Sequence, residues 1–274
     1  DCGPRGPAAS PSPSPPPASS PPPKPPRSPT AASPPPSDLV ERCVVPNAGG
    51  LSASSLSGPL LSELDVDEKI VGGVPVDYAR QLQFQVSLQD GGHFCGGVLI
   101  APNWVLSAAH CTQSDVLVVR VGMHRRSTGG SDDCVQTRGV AQIINHPQYE
   151  SFSSDYDFSL LRLDADVDYA PISLISDLAL ENAGTEATVS GWGTTSSGGS
   201  LSDVLLKVNV PIISNAECNQ KYGGGVTDRM ICAGYTSGGY DSCQGDSGGP
   251  MFAVSGGVPQ LVGIVSWGEG CALP

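Results

Sequence analysis

From Ile70 onward, apolar or alternating runs of four to nine residues recur between breaks rich in Gly, Asn, Asp and Ser. They are Phe84–Leu88, Gly97–Ile100, Val116–Val121, Val140–Ile144, Ala187–Ser190, Leu205–Ile213 and Leu261–Trp267. Runs this short suit one pass of a pleated sheet better than a helix, which needs ten or more residues to bury a face. Many such runs with turn residues between them predict an all-β sandwich or barrel. Only Ala109–Gln113 and Ser214–Lys221 read as short helical pieces. The 205 residues from Ile70 to Pro274 are enough to bury a substantial core.

The first 37 residues are a different material. Sixteen of the 26 prolines fall within the first 36 positions. Proline lacks an amide donor and has a fixed φ, so residues 1–37 can build neither helix nor ladder. They are expected to be a disordered, extended spacer of polyproline II character. Its SPPP-like repeats resemble wall glycoproteins of plants and green algae in composition, which would suit attachment to a cell wall or matrix. Residues 38–69 form a transition rich in Ser, Leu and Gly that ends in Asp65-Val66-Asp67-Glu68-Lys69.

Net charge is −13, and the stretch from Ile70 on carries 9 basic and 20 acidic residues. That balance argues against nucleic acid or an anionic membrane as partner, since both need a basic face. No apolar run approaches the roughly 20 residues of a membrane span, and no signal-peptide pattern follows Asp1. Nine cysteines are many for a reducing compartment and an odd number for a fully paired extracellular chain.

Three segments offer chemistry: Leu106-Ser107-Ala108-Ala109-His110-Cys111, Asp155-Tyr156-Asp157-Phe158-Ser159-Leu160-Leu161 and Gly245-Asp246-Ser247-Gly248-Gly249-Pro250. Taken singly, a lone His is most often a surface or satisfied core residue. An Asp before a strand is most often a cap, and a Gly-Ser-Gly run is most often a loop. The glycines around Ser247 carry more weight. A nucleophile on a tight turn needs them so that backbone amides can face the reacting oxygen.

With these residues in the order His, Asp, Ser, the sequence resembles the chymotrypsin-like serine proteases of the trypsin family. The resemblance covers Ile70 to Pro274. It rests on Ile70-Val71-Gly72-Gly73, Cys95-Gly96-Gly97, Ala108-Ala109-His110-Cys111, Asp157-Phe158-Ser159-Leu160-Leu161, Ser190-Gly191-Trp192-Gly193, Met230-Ile231-Cys232-Ala233-Gly234, Gly245–Pro250 and Ser266-Trp267-Gly268. It implies two packed antiparallel six-stranded β-barrels, about 70–180 and about 181–274, with the active site between them. It also implies a secreted serine endopeptidase that acts on protein substrates.

The resemblance gives the residues roles. Ser247 would be the nucleophile and His110 the base; histidine's ordinary pKa of roughly 6.5 lets it accept and return a proton. Asp157 would orient the imidazole, and the amides of Gly245 and Ser247 would form the oxyanion hole. Asp241, with Ser242, Ser266, Trp267 and Gly268, would line the primary specificity pocket. A carboxylate there favours Arg or Lys at P1. Ile70 would be a new N-terminus made by cleavage after Lys69, its ammonium pairing with Asp246. The acidic residues before Lys69 resemble the activation peptides of trypsinogens. Partners implied are protein substrates with Arg or Lys at P1, an activating protease and protein inhibitors, the enzyme itself being a monomer.

The family pattern pairs Cys95 with Cys111, Cys218 with Cys232 and Cys243 with Cys271. Cys2, Cys43 and Cys134 remain, and one of the first two can tether the propeptide to Cys134. The His and Cys spacing suits no zinc site. The loop that binds calcium in some trypsins begins here Met123-His124-Arg125-Arg126, which is cationic and lacks the early oxygen ligands. Asp132 and Asp133 come later, so calcium stays open while no metal or cofactor is assigned. The chain stops at Pro274, just past Cys271, where family members continue for roughly 20 residues. A truncated second barrel with an open edge and reduced stability is therefore expected. Two other classes stay open: a catalytically inactive homologue that binds a partner, and a wall- or matrix-anchored protein.

Overall fold

The structure, a computed structural model, describes residues 43, 71–113, 118–128 and 130–273. The 1–37 spacer, Cys2, the 65–69 segment, Lys69, Ile70 and the start of the Val116–Val121 run lie outside the described residues.

Thirteen strands are described: β1 Val74–Pro75, β2 Gln85–Gln89, β3 His93–Ala101, β4 Trp104–Ser107, β5 Val118–Val121, β6 Gln136–Asn145, β7 Ser159–Leu163, β8 Ser173–Leu174, β9 Glu186–Gly191, β10 Leu206–Ile213, β11 Cys232–Ala233, β12 Pro250–Ser255 and β13 Val258–Ile264. The helix α1 runs Asn215–Tyr222, and 3₁₀ turns occupy Ala109–Thr112 and Leu178–Glu181.

The first half closes on itself as a six-stranded barrel in the order β2-β3-β4-β7-β6-β5. Its pairs are antiparallel throughout. Closure leaves no edge to protect. Val86, Leu88, Leu99, Val105, Val119 and Leu161 fill the interior and are fully buried.

The second half is a seven-stranded sheet in the order β1-β10-β9-β12-β13-β8, with β11 paired to β10. Among the described residues it is an open sheet rather than a closed six-stranded barrel. It recruits two strands from the 70–180 stretch: β1 pairs with β10, and β8 runs parallel to β13. Strand β10 shows why alternation reads as strand. Leu206, Val208, Val210 and Ile212 point inward while Asn209 between them is exposed. Those four pack with Ala187, Val189 and Met251. Phe252 and Leu261 of the second sheet join the barrel's own core, and Phe252 meets Phe84 edge-on at 5.3 Å. The two halves therefore share packed apolar surface.

Helix α1 is a surface element. Ser214 caps it by accepting from the Glu217 amide, and Gly223 ends it in the left-handed region at φ +68°. Its one buried side chain is Cys218, bonded to Cys232.

Candidate active site

Strand register brings His110 and Asp157 together. The β4–β7 ladder ends with Ser107 opposite Ser159. The turn three residues past Ser107 and the residue two before Ser159 then meet at the barrel rim. His110 Nδ1 donates to Asp157 Oδ2 at 2.7 Å, and the His110 amide donates to Oδ1 at 2.9 Å. Because the carboxylate can only accept, Nδ1 carries the hydrogen and Nε2 keeps its lone pair. The Ser266 hydroxyl is the carboxylate's third donor, to Oδ2 at 2.5 Å. Burial alone would raise Asp157; the bonds from His110 and Ser266 outweigh it and hold the carboxyl below its usual range.

One dipeptide of β3 ties the histidine and serine segments together. Cys95 is bonded to Cys111, next to His110, and the Gly96 amide donates to the Ser247 carbonyl at 2.7 Å. Ser247 sits on a turn closed by Asp246 N to Cys243 O, 3.0 Å, and Gly249 N to Asp246 O, 2.8 Å. Gly248 N fixes the turn against Val265 O at 2.7 Å. Among the described residues no hydrogen bond joins Ser247 Oγ to His110 Nε2. Such bonds are often long in unliganded sites and tighten with substrate.

The residue before the serine faces inward. Asp246 is fully buried, with Oδ1 accepting from Gly193 N at 2.7 Å and Oδ2 from Cys243 N at 2.9 Å. A Cβ on Gly193 would stand 2.3 Å from this carboxylate, so the position has to be glycine. Burial pushes the Asp246 carboxyl up to about 6, against the pull of those two amides. Among the described residues it has no cation; Ile70, its expected partner, lies outside them.

His93 is a site residue that the sequence reading passed over. Its Nε2 donates to the Gly245 carbonyl at 3.0 Å, so its Nδ1 accepts from the Ser87 hydroxyl at 2.7 Å. It also lies edge-on to Trp192, with ring centroids 5.3 Å apart. Burial drives its pKa down to about 4, so it is a neutral support at ordinary pH. What it supports is the peptide of Gly245, which stands at φ +97°, open to glycine and strained for other residues. A His at the start of a strand gave no signal, because its role depends on a contact 152 positions away.

A cavity of about 740 Å³ opens at Ser247 and runs past Asp157, Ser242, Ser266 and Trp267 to Asp241. The Asp241 Oδ2 accepts from the Ala272 amide at 2.9 Å. Burial raises this carboxyl above its ordinary value, and among the described residues no cation offsets it. Cys243–Cys271 joins the two walls of the cavity, the 241–247 and 266–272 segments. Trp267 is held edge-on by Tyr222, centroids 4.9 Å apart. A Cβ on Gly268 would meet only the Tyr222 hydroxyl, at 3.8 Å, which leaves the mouth open.

Among the described residues the disulfides are Cys95–Cys111, Cys218–Cys232 and Cys243–Cys271, the pairs that the resemblance implies, and a fourth, Cys43–Cys134. Cys95, His110 and Cys111 cluster closely enough for a metal. Both sulfurs are spent in the disulfide, which leaves a single imidazole as donor. In the loop after β5, Asp132 is engaged by both nitrogen–oxygen contacts of Arg80, at 2.7 and 2.6 Å.

Comparison with known proteins agrees with this arrangement. The sequence profile of the family described as Trypsin matches residues 70–274. The chain is 46% identical over 216 residues to serine protease 1 of Rattus norvegicus, covering 77% of this chain and 84% of that protein. It is 46% identical over 213 residues to trypsin-1 of Salmo salar, covering 76% and 84%, and to anionic trypsin of Bos taurus over 213 residues, covering 76% and 82%. With the barrel, the cavity and these relatives in agreement, the chain belongs to the trypsin family of serine endopeptidases.

Proposed function

We propose that this endopeptidase cuts peptide bonds after Arg or Lys, and that it is made as a precursor activated by cleavage between Lys69 and Ile70. The observation that carries the specificity is Asp241, a half-buried carboxylate without a cation among the described residues, in the same cavity as Ser247. A substrate guanidinium or ammonium would supply the missing charge.

In this reading Ser247 Oγ attacks the carbonyl carbon as its proton passes to His110 Nε2. Asp157 keeps Nδ1 protonated and stabilises the imidazolium. The amides of Gly245 and Ser247 hold the oxyanion, a donor of this kind being worth about 10²–10³ in turnover. His110 gives its proton to the leaving amine, and an ester to Ser247 remains. Water then attacks that ester with His110 again as base, which restores the serine.

Activation follows from Asp246. A buried carboxylate pushed up to about 6 is poised for a cation. Hydrolysis after Lys69 would create one on Ile70, and the pair would set the Gly245 turn. Secretion fits the four disulfides, since these persist in oxidising compartments. An activating protease and protein inhibitors are the partners such an enzyme calls for.

A fluorophosphonate probe tests the reading. Labelling at Ser247 only after cleavage at Lys69 is the expected result, and Lys69→Gln should stay unlabelled after trypsin treatment. Equal labelling before and after cleavage would refute activation. Absence of labelling in both states would favour an inactive homologue.

A further inference from the structure

The fourth disulfide links a residue before the activation bond to the catalytic domain. Cys43 precedes Lys69 by 26 positions, and its sulfur is bonded to Cys134, with Cα atoms 5.2 Å apart. Cys43 itself is 6% exposed, so the bond is shielded rather than displayed.

The receiving end is well anchored. The Cys134 amide donates to Asp132 Oδ1 at 2.9 Å, and the Cys134 carbonyl accepts from the Tyr169 hydroxyl at 2.6 Å. Asp132 is in turn held by Arg80. A bond within its own loop, braced by Arg80, and a second from Tyr169 therefore fix Cys134. None of these contacts uses a residue between Cys43 and Ile70.

We infer that residues 1–69 stay on the activated enzyme as a light chain, held by Cys43–Cys134, and that the proline-rich segment is a permanent arm of the mature protease. This rests on the activation cleavage proposed above. Hydrolysis adds one water across the Lys69–Ile70 bond, leaving a carboxylate on Lys69 and an ammonium on Ile70. No sulfur changes oxidation state. The new N-terminus is freed from its chain, while the segment before it is not freed from the domain. The arm can then hold an active enzyme at a wall or matrix instead of being discarded.

The test places a single protease site at the bond. Val66→Asp with Glu68→Asp turns the residues before Lys69 into an enteropeptidase site, and Ser247→Ala prevents self-digestion. After enteropeptidase treatment a reducing gel should show two chains, and a non-reducing gel one band of unchanged mass. Adding Cys43→Ser should release the light chain on the non-reducing gel, whereas adding Cys2→Ser should not. A peptide map of the untreated protein should contain Cys43 and Cys134 in one disulfide-linked species. Two bands on both gels before Cys43 is changed would overturn the tether and leave the activation bond standing. One band on both gels would show that the bond after Lys69 is closed to protease, which overturns the activation reading and the inference with it.

Discussion

Asp157, at the rim of the closed barrel, and Asp241 and Asp246, on the loop that enters the second sheet, are all withdrawn from water but supplied differently. Asp157 takes three hydrogen bonds, from the His110 ring, the His110 amide and Ser266, and is held below its usual pKa. Asp246 takes two amide bonds and is pushed up to about 6; Asp241 is also raised. The barrel side is electrostatically complete as folded. The second side has carboxylates that gain from a cation, which the proposed function supplies from the substrate and from Ile70. A closed barrel suits the first task, and a sheet fed by long loops suits the second.

The largest expected effect breaks the completed side. Asp157→Asn should lower kcat about 10⁴-fold with the fold intact, because an amide no longer fixes the His110 tautomer. A loss below tenfold in single-turnover assays would show that the carboxylate is not what orients His110. Next, Asp241→Asn should cost Arg and Lys substrates on the order of 10²–10³ in kcat/KM, as for one partner removed from a buried charge pair. Phe substrates should change little, and a uniform loss across all three would point to a structural role instead. His93→Ala should lower kcat roughly tenfold or more with KM nearly constant, since it holds Gly245 rather than substrate. The smallest effect is expected from Ser266→Ala, which removes one of three donors to Asp157. It should cost about 1–2 kcal/mol in activation free energy and raise the acid limb of the pH–rate profile slightly. An unchanged acid limb would mean that the His110 bonds alone set the Asp157 carboxyl.

Much of this was readable before folding. The period-2 run Leu205–Ile213 became β10, and Ser214–Lys221 became α1 one residue later. Strands β4 and β12 escaped, because four residues running into the histidine motif and six starting at the Pro that ends the serine motif carry too little periodicity. The open edge of the second half was expected from the chain's stop at Pro274, but the recruitment of β1 and β8 into it could not be read from local pattern, since they are two residues each and owe their pairing to distant strands. At the site, the serine, histidine and aspartate stood out by motif. His93 did not, as one histidine gains meaning only from what packs against it. Cys43 and Cys2 were equal candidates for Cys134, because spacing does not determine connectivity across 91 positions.

The central claim is that Asp246 awaits a cation, and it has a direct test in urea melts of the Ser247→Ala chain before and after cleavage at Lys69. With no cation beside it, as the uncut chain is expected to be, burial pushes the folded Asp246 carboxyl up to about 6, against roughly 3.9 for an unfolded Asp. The folded state thus binds more protons across that window, and this contribution to stability falls as pH rises from about 4 to 6. Above pH 6 the penalty, on the order of 3 kcal/mol, is fully present. Cleavage should remove it, so the cut chain should be the more stable at pH 7 in spite of its broken backbone. The difference should shrink toward pH 4 and vanish in Asp246→Asn. A cut chain that is no more stable at pH 7, or a difference independent of pH and of Asp246, would contradict the account.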